Sequence, residues 1–129
     1  MSQKWHVLYY ETAAGKCQIQ NFIDSRRERE QAKIFSWVSL LEQHGPTLPR
    51  PYADLLTEGI HELRITLSGE HLRILYFFCF KDIIVLTHAF IKHTSEVPHS
   101  EIKKAKAYRD DFLSRYDEKK LKEAINEKF

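Results

Sequence analysis

Residues 62–94 read ELRITLSGEHLRILYFFCFKDIIVLTHAFIKHT, three strand-forming runs separated by two turn signals. Ile60 to Leu67 alternates, Ser68-Gly69 interrupts, His71 to Phe80 runs on, Lys81-Asp82 interrupts again, and Ile83 to Lys92 follows. Tight turns between such runs predict a meander of antiparallel hairpins. A two-residue turn at Ser68-Gly69 sets Arg64 opposite Arg73. A turn at Lys81-Asp82 sets Arg73 opposite Phe90 and His71 opposite Lys92. On this register Glu62, Arg64, Thr66, His71, Arg73, His88, Phe90 and Lys92 share one face. The other face carries Leu63, Ile65, Leu67, Leu72, Ile74, Tyr76, Phe78, Ile83, Val85, Ala89 and Ile91. One side is thus a core wall and the other is basic and partly aromatic; a one-residue slip would scatter the basic set.

Like charges placed directly opposite destabilise a strand pair, so Arg64 facing Arg73 calls for an anion between them. That anion is either a carboxylate, with Glu62 and Glu70 near enough in sequence, or a ligand phosphate. Arginine's planar fork suits phosphate oxygens, and Lys92 adds a point charge. Phe90 offers a ring on which an unpaired base can stack, a common way of holding single-stranded RNA. His71 and His88 belong to the same basic face.

The rest of the chain fits one α+β domain spanning residues 1–129. With 129 residues, 43% hydrophobic and 29% charged, the composition is that of an ordinary globular chain. A net charge of +2 does not announce a nucleic-acid binder, so the local distribution has to make that case. No apolar run is long enough for a membrane span, and the opening residues Met1 to Trp5 lack a signal-peptide core, so a cytoplasmic protein is expected. Trp5 to Glu11 predicts an edge or opening strand. Gln18 to Ser25 predicts a short helix, and Glu28 to His44 a longer one closed by Gly45-Pro46. Thr47 to Pro51 is an extended connector, and Tyr52 to Gly59 a loop or single helical turn. Pro98 starts a helix with Ile102, Ala105, Tyr108, Phe112 and Tyr116 on one stripe. Asp117 to Phe129 is a helical extension or a fraying tail. The two N-terminal helices are expected to cover the apolar face of a twisted antiparallel sheet, leaving the other face open near Arg64 and Arg73.

Other chemistry is weakly represented. His61-Glu62-Leu63-Arg64-Ile65 does not match a zinc-protease helix. His71 and His88 share a face but lie about four residues apart along the strands, roughly 13 Å, too far for one ion. Metal binding is therefore not expected, and no cofactor is implied. Cys17 and Cys79 belong to no C-x-x-C pair, and Cys79 and Ser68 have no evident base. His99 is the exception among the histidines. It begins the last helix, with Lys103, Lys104 and Lys106 after it, and is either an ordinary first-turn residue or a proton-transfer group beside the basic face.

Taken together, Glu62-Leu63-Arg64, Leu72-Arg73-Ile74-Leu75-Tyr76, His88-Ala89-Phe90-Ile91-Lys92-His93-Thr94 and Glu101-Ile102-x-x-Ala105 resemble the RelE/HigB toxins of type II toxin–antitoxin systems. The likeness is greatest to the HigB-like, phage-associated branch and covers nearly the whole chain. It implies two helices on a twisted antiparallel sheet, and a growth-inhibiting, ribosome-dependent endoribonuclease that cuts mRNA in the A site. The RNA 2′-hydroxyl attacks the scissile phosphate, leaving a 2′,3′-cyclic phosphate. Arg64, Arg73 and Lys92 match the family's basic positions. His71, His88, Phe90, Lys103 and Lys104 are candidate RNA contacts. RelE proper has a tyrosine as general base near its C-terminal helix; here Pro98-His99 stands in that neighbourhood, making His99 the candidate replacement. The resemblance also implies a cognate antitoxin, often a helix-turn-helix protein, besides the ribosome and mRNA. Related ParE proteins share the fold but inhibit gyrase. A non-nucleolytic gyrase inhibitor, a phage-derived binder, or an interaction module contacting a partner through residues 117–129 are the competing readings.

Overall fold

In the computed structural model, which describes residues 4–128, the chain runs β1 (His6–Tyr9), α1 (Gln18–Asp24), α2 (Glu28–His44), β2 (Ala53–Thr57), β3 (Ile60–Leu67), β4 (Glu70–Cys79), β5 (Ile83–Lys92), α3 (His99–Arg115) and α4 (Glu118–Lys128), with a 3-10 turn at Gly45–Thr47. The strands form one sheet in the order β1-β5-β4-β3-β2. β1 runs parallel to β5 and the other pairs are antiparallel, so the sheet is mixed where an antiparallel one was expected. Tyr52 to Gly59, expected as a loop or helical turn, contributes the edge strand β2. The terminal segment, expected as a helical extension or a fraying tail, is helical over Glu118–Lys128. It is a separate helix, because Tyr116 leaves helical geometry at φ −127° and ψ 125°. Phe129 lies outside the described residues, as do Met1 to Gln3.

α1 and α2 bury Ile19, Ile23, Ile34, Val38 and Leu41, spaced three or four apart so that each helix presents one apolar stripe. They meet Leu63, Ile65, Leu67, Leu72 and Ile74 on the sheet. Each fully buried Ile or Leu there contributes about 2 kcal/mol by transfer from water. A polar lock fixes the hairpin that matters for the site. Arg26 Nη2 donates to Glu30 Oε2 (3.1 Å) and Glu70 Oε1 (2.9 Å), and the Ser68 hydroxyl donates to Glu30 Oε2 (3.0 Å). The β3–β4 turn is thereby tied to the α1–α2 junction, and Glu70 is spent on Arg26.

The opposite face is not open along its whole length. α3 and α4 cover one end of it, burying Ala105, Phe112 and Leu121 against Ile60, Leu75, Phe77 and Val85. Tyr10 donates to Asp111 Oδ2 at 2.5 Å, anchoring α3 to the segment after β1. Ile83 and Val85 therefore lie on this face, not with Leu63 and Ile74 as the simple alternation implied. The cause is an irregularity between Leu75 and Tyr76: Leu75 pairs with His88 but Tyr76 with Leu86, leaving Thr87 as a bulge that reverses the facing of everything beyond it.

Candidate functional site

The register about the basic residues is the one the turns predict: Arg64 faces Arg73, Arg73 faces Phe90, and His71 faces Lys92. These residues sit at the end of the sheet that α3 does not cover. Two concavities open there, of about 430 Å³ and 410 Å³, within the range of ligand sites. The first is lined by Thr66, His71, Arg73 and the loop His93 to Ser95. The second is lined by Glu62, His99 and parts of β2 and the β5–α3 loop. Arg64 and Lys92 border both.

Within the protein, the anion between the two arginines is Glu62. Its Oε1 lies 3.3 Å from Arg64 Nε and 3.4 Å from Arg73 Nε. These are ion-pair distances; the buried Arg73 Nε makes no hydrogen bond. Repulsion between the arginines therefore does not by itself require a ligand. Nor is Arg73 the exposed strand residue the alternation suggested: it is only 4% exposed, and Glu62 6%. Arg73 Nη1 donates to the Leu72 carbonyl (3.1 Å), and Lys92 Nζ to the Ser95 carbonyl (3.1 Å).

Three cations surround this one carboxylate, and the acidity of Arg73 and Lys92 is altered there. Burial holds the Arg73 guanidinium below its ordinary value, with Arg64 adding to the effect and Glu62 opposing it. Burial, then the Arg73 charge, lowers Lys92 in the same direction. An anion entering the first concavity would oppose both shifts. Phosphate fits that requirement, since its oxygens accept from several cationic donors at once.

The other predicted contacts divide. His71 is exposed and lines the first concavity; His99, exposed in the first turn of α3, lines the second. Lys103 and Lys104 are exposed but line neither, and Lys104 Nζ lies 3.5 Å from Glu101 Oε1. Phe90 is half-buried and stacks on His88, with centroids 5.6 Å apart. His88 cannot meet RNA as placed. It is 1% exposed, with Nδ1 3.0 Å from the Thr87 hydroxyl and Nε2 3.4 Å from Glu101 Oε1. The bulge at Thr87 and the covering α3 put it there; strand alternation shows neither.

Burial, outweighing the attraction of Glu101, pushes His88 down to about 4. The folded protein thus keeps the imidazole neutral where the unfolded chain binds a proton near pH 6.5. Stability from this group is complete above about pH 6.5 and is lost as pH falls towards 4, on the order of 3 kcal/mol. Denaturant midpoints at pH 7.5 and 4.5 should differ less in His88→Gln than in the parent. An equal pH dependence in both would contradict the assignment.

Residues that sequence reasoning did not bring to the site are Asp54, Leu56 and Thr57 from β2, Pro51 before it, and Ser95, Glu96, Val97 and Ile102. Reading 52–59 as a loop hid the first group; Val97 and Ile102, the apolar residues flanking Pro98, were the available signal for the last. Among the described residues no group of three or more His, Cys, Asp or Glu could hold a metal ion. No helix of the described residues is long and apolar enough to cross a membrane. Cys79 is free, and burial pushes its thiol up to about 12, which makes it a poor nucleophile.

A five-stranded mixed sheet flanked by helices, with a cationic cleft at one end, defines a small α+β protein built around one polar site. The chain belongs to the phage-derived Gp49-like family (DUF891), whose model matches residues 21–110, and through it to the RelE/ParE-like toxin superfamily. The matched span runs from α1 into α3 and contains all three central cations. No curated protein matches the chain significantly.

Proposed function

We propose that this protein is the toxin of a toxin–antitoxin pair and an endoribonuclease that cuts translated mRNA in the ribosomal A site. The observation that carries the reading is the convergence of Arg64, Arg73 and Lys92 on the first concavity, which has no carboxylate in its lining, while Glu62 alone pairs with the two arginines from beside it. Membership of a toxin-like family supports it and suggests an antitoxin partner. In this mechanism the arginines and Lys92 bind the scissile phosphate and stabilise the charge that builds on its oxygens during attack. The RNA 2′-oxygen bonds to phosphorus, the bond to the 5′-oxygen breaks, and the products are a 2′,3′-cyclic phosphate and a 5′-hydroxyl. His99 takes the 2′-hydroxyl proton, and the departing 5′-oxygen takes a proton from solvent water. The chemistry needs no metal or cofactor.

His99→Ala should then slow single-turnover cleavage by about 10²-fold or more while ribosome binding persists, the loss expected when a general base is removed. His99→Gln should not rescue the rate, because an amide hydrogen-bonds without titrating. Cleavage within a few-fold of the parent in both variants would place the base elsewhere.

The superfamily also admits a gyrase inhibitor of ParE type, and the extensive burial of Arg73 with Glu62 is compatible with a purely structural pair. Mapping transcript ends after induced expression separates the two readings. Cuts in frame within translated messages support the nuclease; intact messages with a DNA-damage response support the inhibitor.

A further inference from the structure

The two concavities that share Arg64 and Lys92 differ sharply in chemistry. The first presents cations and hydroxyls and no carboxylate. The second is lined by three carboxylates, Asp54, Glu62 and Glu96, and by the aliphatic groups of Leu56, Val97 and Ile102. A polynucleotide phosphate held over the shared cations has one favourable neighbour and one hostile one. A second phosphate in the acidic concavity would face like charge, whereas a nucleobase would meet apolar side chains on its faces and carboxylate acceptors at its edge.

We infer that the second concavity is a nucleobase subsite, selective for bases that present N–H donors side by side, guanine above all. The inference rests on the RNA reading of the cleft and adds to it a substrate preference. Carboxylates accept hydrogen bonds and do not donate them, so they reward amino and imino edges and not carbonyls. Guanine offers two adjacent donors on its Watson–Crick edge, matching both oxygens of one carboxylate; uracil offers one donor between two carbonyls. Of the three carboxylates Glu96 is the free one. Asp54 Oδ2 is 2.8 Å from Arg50 Nη2, and Glu62 is held between the arginines, whereas the Glu96 side chain makes no ion pair or hydrogen bond among the described residues. It lies in the β5–α3 loop beside Ser95, whose carbonyl already receives Lys92, so phosphate and base sites meet at adjacent residues.

The test titrates the full chain, labelled for NMR, with inorganic phosphate, guanosine 3′-monophosphate and uridine 3′-monophosphate. Phosphate should shift signals of Arg64 and Lys92. The guanosine nucleotide should bind about tenfold more tightly than the uridine one and shift the methyl signals of Val97 and Ile102. Glu96→Gln should bring the two nucleotides to within about twofold, since the amide presents a donor where an acceptor is needed. Equal affinity for both nucleotides, or no response at Val97 and Ile102, overturns the base subsite while the phosphate shifts stand. No response at Arg64 and Lys92 to phosphate or to either nucleotide removes the anion site and the inference together.

Discussion

Arg73→Ala should lose growth inhibition altogether and also weaken the fold by about 3 kcal/mol. Both effects follow from one geometry. The guanidinium is buried, Nη1 holds the Leu72 carbonyl, and Nε lies 3.4 Å from the Glu62 carboxylate. Removing one member of a buried pair leaves the other desolvated, and Glu62 would retain Arg64 as its sole cation among the two arginines. Because a weakened protein is a poor reporter of function, Arg73→Lys is the sharper variant. It keeps the charge beside Glu62 and loses the planar fork that engages two phosphate oxygens. It should remain folded, with a denaturation midpoint near the parent's, yet cut RNA about 10²-fold more slowly, comparable to losing one oxyanion donor. A lysine variant as toxic as the parent would remove Arg73 from the phosphate site.

Gly45→Ala should be the most damaging small substitution for stability. Gly45 ends α2 at φ 54° and ψ −129°, a conformation that L-residues rarely adopt. A Cβ there would also overlap the Trp5 indole, with Cε2 at 2.6 Å and Cδ1 at 2.7 Å. Trp5 is not free to yield. Its amide donates to the Glu42 carbonyl (3.0 Å) and its ring packs edge-on against Phe78, with centroids 5.3 Å apart. Strain and overlap together should cost about 3–5 kcal/mol. Gly15→Ala is the control: its φ is +85°, but nothing lies within 4 Å of the added methyl, so only the backbone strain, about 1 kcal/mol, is expected. Thermal melts of the two variants should therefore separate clearly, and equal melting temperatures would show that contact with Trp5 is immaterial.

The basic row was legible because two departures from ideality cancel there. The β4–β5 turn is Phe80-Lys81-Asp82, three residues, with Phe80 at φ 56°, since Cys79 pairs with Ile83. That alone would set Arg73 opposite Ala89. The bulge at Thr87 restores Arg73 to Phe90, so the two-residue turn read from the sequence gives the right neighbours at the site and the wrong facing for Ile83 and Val85. α2 was legible for a simpler reason: a clean apolar stripe ends in Gly-Pro, and its bounds are Glu28–His44 as read. β2 was not, because Leu55-Leu56 breaks the period of two and Leu55 is 57% exposed on an edge. The burial of His88 was hidden for a different reason. Alternation assigns a residue to a face, but says nothing about which helix later crosses that face, and α3 begins only at His99, after β5 has ended at Lys92.

The central claim is that the cleft cleaves ribosome-bound mRNA, and a purified translation complex with a sense codon in the A site tests it most directly. On adding the protein, the message should be cut within that codon, only when ribosomes are present, with a 2′,3′-cyclic phosphate on the upstream fragment. Arg73→Lys should leave most of the message uncut over the same interval. A message that stays intact with the parent protein, while the same preparation stalls gyrase on DNA, would contradict the account.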